Sequence, residues 1–127
     1  MLTWSSLSPE QKCVLLEAAK SGLLQDVLAT WEPRDDWTQR LSYVPRLAQA
    51  VIDLVAAGYI EVYQRASLND KGEFVFDEDL PGVVLDPANW MTDNGPRILV
   101  ELVSTTMAAD VFKTRGSQGL YDFATNR

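Results

Sequence analysis

Residues 50–65, "AVIDLVAAGYIEVYQR", carry an apolar helical pattern up to a glycine and then switch to strict alternation. Upstream of Gly58, Leu47, Val51, Leu54 and Val55 fall on one stripe at helical spacing, with Ala48 and Ile52 beside it. Pro45 is suited to the first turn that begins the helix. Downstream, Ile60 and Val62 alternate with Tyr59, Glu61, Tyr63 and Arg65, the period of a half-buried strand. Gly58 can end the helix in a left-handed conformation that any Cβ would penalise, so the chain passes from helix to strand with no linker. The side opposite the stripe carries Arg46, Gln49, Ala50 and Asp53 at i, i+3, i+4 and i+7, a free polar face.

Working outward, Ser8-Pro9-Glu10-Gln11 combines a capping serine, a proline at the first helical position and a glutamine able to close a capping box. The helix it starts is expected over 9–20, with Gly22 as its left-handed stop. Leu23, Leu24, Val27, Leu28 and Trp31 predict a second helix that ends before Pro33. Residues 34–42 are compatible with a short helix capped by Asp36 or with a brief strand. Asn69-Asp70-Lys71-Gly72 supplies turn chemistry, and Glu73–Asp77 alternates again with Phe74 and Phe76 on one face, so 59–77 reads as a β-hairpin. Asp86-Pro87-Ala88-Asn89-Trp90 predicts a capped single turn, Ile98–Val103 a third strand and Thr106–Lys113 a short last helix. The tail has few core formers.

The order helix, helix, longer helix, glycine, strand, turn, strand over about residues 8–77 resembles a winged helix-turn-helix domain. Within it, "LVAAGYIEVYQR" is similar to the junction at which that superfamily passes from its third helix into its wing. The expected fold is therefore α+β and winged-helix-like: three N-terminal helices, a β-hairpin wing, and an additional C-terminal strand and short helix. A single domain over 1–113 and a flexible tail over 114–127 follow. The length of 127 residues suits one domain with its own core, and 46% apolar with 23% charged residues is the balance of a folded chain.

In DNA-binding members of that superfamily the third helix enters the major groove. The resemblance thus implies Arg46 and Gln49 as base-reading residues, with Arg34, Arg40 and Arg65 on phosphates. Charge argues against it. The formal net charge is −7, and the deficit sits over residues 66–101, where Asp70, Glu73, Asp77, Glu78, Asp79, Asp86, Asp93 and Glu101 face only Lys71 and Arg97. Phosphate binding needs a basic surface, whereas here the wing is acidic, with Glu61, Glu73 and Asp77 beside Tyr63 and Arg65 on its outer face. The favoured expectation is a regulatory or inhibitory protein that binds a protein with a basic surface, using Tyr63, Arg65, Asp77, Glu78, Asp79 and Trp90. The alternative is a DNA-binding transcriptional regulator, dimeric through the 98–103 strand.

Other chemistry finds little footing. With no histidine there is no Ser-His-Asp or Cys-His pair and no imidazole ligand, so an enzyme is not expected. No cofactor or metal is expected either: aligning Gly72 with the glycine of a calcium loop puts Lys71 at a ligand position. Gly116-Ser117-Gln118-Gly119 lacks the flanking strand and helix of a phosphate-binding loop. The single cysteine, Cys13, reads as a packed thiol and leaves no partner for an internal disulfide. The tryptophans read mainly as packing residues, with Trp4 and Trp37 the more exposed pair. The N-terminus lacks a secretory pattern and the longest apolar run is far shorter than the ~20 residues of a membrane span, so the expected compartment is the cytoplasm.

Overall fold

The computed structural model describes residues 2–66, 71–91 and 98–115. Among these residues the chain is α+β. Helices α1 (Pro9–Ala19), α2 (Leu24–Trp31), α3 (Trp37–Ser42) and α4 (Val44–Ala56) lead into strand β1 (Ile60–Arg65). Strand β2 (Glu73–Phe74), helix α5 (Leu80–Val84), strand β3 (Leu99–Ser104) and helix α6 (Thr106–Lys113) follow, with single 3-10 turns at Trp4–Ser6 and Pro87–Trp90. The Asn69-Asp70 turn, Asp93, Arg97 and the Gly116–Gly119 stretch lie outside the described residues.

Helix α1 starts as its sequence requires. The Ser8 hydroxyl accepts the Gln11 amide at 3.1 Å, and the Gln11 side chain accepts the Ser8 amide at 2.9 Å. Cys13, Val14, Leu15, Leu16 and Ala18 are all buried, because α1 packs against α2, α4 and β3 at once. A helix apolar over most of its circumference belongs in such a central place. Its end corrects one expectation: the left-handed residue is Ser21, at φ 56°, and Gly22 follows it. Ser21 donates to the Ala18 carbonyl and Gly22 to the Glu17 carbonyl, the paired bonds of a Schellman cap. Glycine is still needed at 22, since a Cβ there would stand 3.1 Å from the Glu17 carbonyl oxygen.

Within 34–42 the helical alternative forms, as α3 over Trp37–Ser42. Asp36 caps α3 by accepting the Gln39 amide at 3.1 Å. The decisive junction forms as read: Gly58 sits at φ 86°, Gly58 donates to the Val55 carbonyl and Tyr59 to the Leu54 carbonyl. Leu47, Val51 and Leu54 before it and Ile60 and Val62 after it all enter one core. Tyr59, placed with the outward residues by alternation, is buried and its hydroxyl accepts the Leu2 amide.

The expected hairpin forms, but β2 is the minor partner of β1 in the sheet. Its order is β2-β1-β3, and β1 pairs with β3 over six residues, from Ile60↔Ser104 to Arg65↔Leu99, but with β2 over only Tyr63↔Phe74 and Gln64↔Glu73. The principal partner of β1 is thus the strand beyond residues 66–98, because β3 supplies Val100 and Leu102 to the core whereas β2 supplies none. On its far edge β3 meets the α1–α2 connection, where Leu102 donates to the Gly22 carbonyl at 2.8 Å and Leu23 bridges Glu101. At Glu101 and Leu102, β3 is thus engaged on both edges.

Residues 75–91 do not form a solvated loop. Val75, Leu80, Val84 and Trp90 are buried, α5 packs on α4, and the Pro87–Trp90 turn packs on α2. Helix α6 buries Ala108 and Val111. The tail reading also begins too early, since the Thr114 hydroxyl accepts the Trp4 amide at 2.8 Å.

Candidate partner-binding surface

Antiparallel pairing fixes which residues share a side. Tyr63, Phe74 and Glu101 lie in one row across the sheet, Glu61 pairs with Val103, and Arg65 with Leu99. All stand on the face opposite Val62 and Leu102, which point into the core. The Val75 amide donates to the Val62 carbonyl at 2.9 Å, and continuing this register brings Phe76 across from Glu61.

This overturns the expected facing, in which Glu73 and Asp77 share the outer side with Tyr63 and Arg65, because the core takes Val75 and so reverses the sides of its neighbours. Val75 takes the inward position opposite Val62, so Phe74 and Phe76 are turned out, 38% and 59% exposed. Glu73, opposite Gln64, shares its side with that residue rather than with Tyr63. The three outer rings touch in sequence: Tyr63 and Phe74 meet at 5.7 Å and 74°, Phe74 and Phe76 at 5.0 Å and 78°. Both are edge-to-face contacts, the arrangement the ring quadrupoles favour. The Tyr63 hydroxyl donates to Glu61 Oε1 at 3.0 Å, and that bond, with partial burial and the Glu61 charge, holds the phenol protonated above its usual range. Exposed Asp77, Glu78 and Asp79 form the turn that leaves Phe76 and enters α5. Arg65 pairs with Glu101 across the strands.

The structure places Tyr63 and Arg65 on the outer side of β1 and the 77–79 acids in the turn after Phe76, at the Glu61 end of that strand and away from Arg65; Trp90 joins neither. That side chain is fully buried and its indole N–H donates to the Val84 carbonyl at 2.8 Å, so it anchors the 75–91 segment and cannot anchor a partner. Trp4 is likewise buried, packed on Phe112 with Lys12 over its ring, while Trp37 is half-buried. Phe74 and Phe76 are the surface residues that sequence reasoning missed. Their signal was the Phe-Val-Phe alternation, whose facing is set only by the strand opposite.

Apart from Arg65, the residues considered for DNA lie elsewhere, and all of them are already partnered. Arg46 and Gln49 are exposed on α4, but Ala50, expected beside them, is buried against α1. Arg46 Nη2 and Nε both reach Glu10 Oε2, at 2.6 and 2.9 Å, with the guanidinium 5.5 Å from the Tyr43 ring and 5.8 Å from Trp31. Gln49 donates to Asp53 at 2.9 Å. Arg40 donates to the Glu32 carbonyl and lies over Trp37, and Arg34 donates to the buried Glu32 carboxylate, which raises its pKa further. Among the described residues no group of three or more Cys, Asp or Glu side chains is placed to hold a metal, and no helix is long and apolar enough to cross a membrane. No family model matches the chain, and no curated protein or solved structure matches it either.

Proposed function

We propose that this chain is a non-catalytic, winged-helix-like regulatory or inhibitory protein that acts by binding a protein partner with a basic surface. The observation that carries the reading is the outer sheet face, where Tyr63, Phe74 and Phe76 form an exposed aromatic stack beside Glu61 and the Asp77–Asp79 acids. Aromatic clusters left exposed among the described residues mark interaction surfaces, and aromatic side chains are enriched at the hot spots of protein interfaces. The acids select the sign of the partner. The winged-helix-like description draws support from the run α1, α2 and α4, the Gly58 junction and the β1–β3 pair, with 66–98 as a long insertion between the wing strands.

Binding of duplex DNA through α4 is the rival reading, favoured by the exposure of Arg46 and Gln49. It would require Arg46 to leave Glu10 and would bring Asp53 toward phosphates, both unfavourable. Two measurements divide the readings. Anisotropy of a labelled duplex at low salt is expected to show no binding tighter than millimolar and no effect of Arg46→Ala. Capture from a lysate of the source cells is expected to recover a protein that the Phe74→Ser/Phe76→Ser variant fails to recover. Tight, salt-steep duplex binding weakened by Arg46→Ala would reverse the assignment.

A further inference from the structure

The aromatic stack has a chemistry narrower than an apolar patch. Edge-to-face contacts set the positive rim of one ring against the negative face of the next and leave other ring faces unstacked, available to a cation. Elsewhere in the molecule such faces are occupied: Lys12 stands over Trp4, Arg40 over Trp37, and Arg46 over both Trp31 and Tyr43. The described residues supply no cation to Tyr63, Phe74 or Phe76, and Arg65, the nearest in register, is held by Glu101. Beside the rings, Glu61 gives one lone pair to the Tyr63 hydroxyl, and a carboxylate has capacity for several more donors.

We infer that this face takes up an arginine side chain of a basic partner segment, its guanidinium stacked on Phe76, the more exposed ring and the one across from Glu61, bordered by the Phe74 ring and hydrogen-bonded to Glu61, with neighbouring basic residues of the segment facing Asp77, Glu78 and Asp79. The inference rests on the protein-binding reading above and names the group recognised. Guanidinium fits better than ammonium because it is planar, weakly hydrated, and able to stack and to donate to a carboxylate at the same time. The acids alone would attract any cation; the rings choose the flat one.

The test is an NMR titration of the full-length chain with the blocked peptide acetyl-Gly-Arg-Arg-Gly-amide, its lysine counterpart and its neutral citrulline counterpart. Amide shifts centred on Glu61, Tyr63, Phe74 and Phe76 are expected with the arginine peptide, weaker ones with lysine and none with citrulline. Affinity should fall about threefold to tenfold in Phe74→Leu/Phe76→Leu, which keeps apolar bulk but removes the rings, and similarly in Glu61→Gln. Shifts spread evenly over distant acids such as Glu10, Asp35 and Asp110, or affinity unchanged in both variants, would overturn the inference. If the peptide result is negative while lysate capture remains sensitive to Phe74→Ser/Phe76→Ser, arginine recognition falls and protein binding stands. If capture also fails, the reading beneath it falls as well.

Discussion

Among the described residues two hold the left-handed conformation at helix ends, and the sequence distinguishes them badly. Gly58 and Ser21 occupy equivalent positions in two Schellman caps, at φ 86° and 56°. Glycine adopts this conformation without penalty, whereas a side chain costs about 1–2 kcal/mol. Gly58→Ala is therefore expected to destabilise the fold by about that amount, and Met107 Sδ at 3.4 Å from the added Cβ gives no relief. Ser21→Gly should stabilise it, by up to about 1 kcal/mol after the extra entropy glycine loses on folding. Chemical denaturation of both variants checks the pair of signs. Tyr63 supplies a test of the outer face at the same scale. Its phenol titrates above the usual 10.0 because it donates to Glu61, so the stabilisation is complete below about pH 10 and is lost as pH rises through the higher folded value. In Glu61→Gln, the Tyr63 phenolate should form at lower pH than in the parent, followed by the alkaline absorbance change or the ring resonances. An unchanged titration would mean that the Glu61 contact contributes nothing in solution.

At the scale of elements, legibility followed how local the deciding interaction is. The start of α1 was readable because Ser8 and Gln11 satisfy amides within three residues, whereas the Asp36 cap of α3 left helix and strand both open, since six residues carry too little periodicity to decide. Helix α4 and its exit were readable because stripe, glycine and alternation agree over one continuous stretch. The short helix α5 was hidden by Pro81 and Gly82, and what forms it is distant: Leu80 and Val84 are buried where α5 lies on α4. The facing of Phe74, Val75 and Phe76 was hidden for the same reason, since a period of two says that sides alternate but not which side meets the core. The candidate site was therefore legible in its charges and in Tyr63, and illegible in its two exposed rings. These origins predict different costs. Asp36→Ala removes one cap and should cost about 1 kcal/mol. Trp90→Ala removes a fully buried ring and its bond to Val84 and should cost about 3–5 kcal/mol, a loss that thermal denaturation resolves easily. If Trp90 instead proved neutral, residues 75–91 would not belong to the core.

For the whole molecule, the segment between β1 and β3 determines which surfaces are left to act. Its buried residues, Val75, Leu80, Val84 and Trp90, occupy space against α2 and α4, while Arg46 and Gln49 of α4 stay exposed. Its exposed residues, Phe74, Phe76 and Asp77–Asp79, lie at the outer sheet face instead. One segment thus both completes the core against α2 and α4 and builds the aromatic, acidic face, which is why the protein-binding reading depends on the packing of 75–91. Hydrogen exchange tests that link directly. Amides in α1 and β1 should be protected to the level of global unfolding, because α1 is enclosed by α2, α4 and β3 and because β1 is central in the sheet. The amides of Val75 and Leu80, which donate to Val62 and Phe76, should exchange with that same core rather than earlier, since their side chains are part of it. Full protection in α1 with rapid exchange throughout 75–90 would show the insertion opening on its own, and the outer face would then lose the rigid support that keeps Phe74 and Phe76 turned outward.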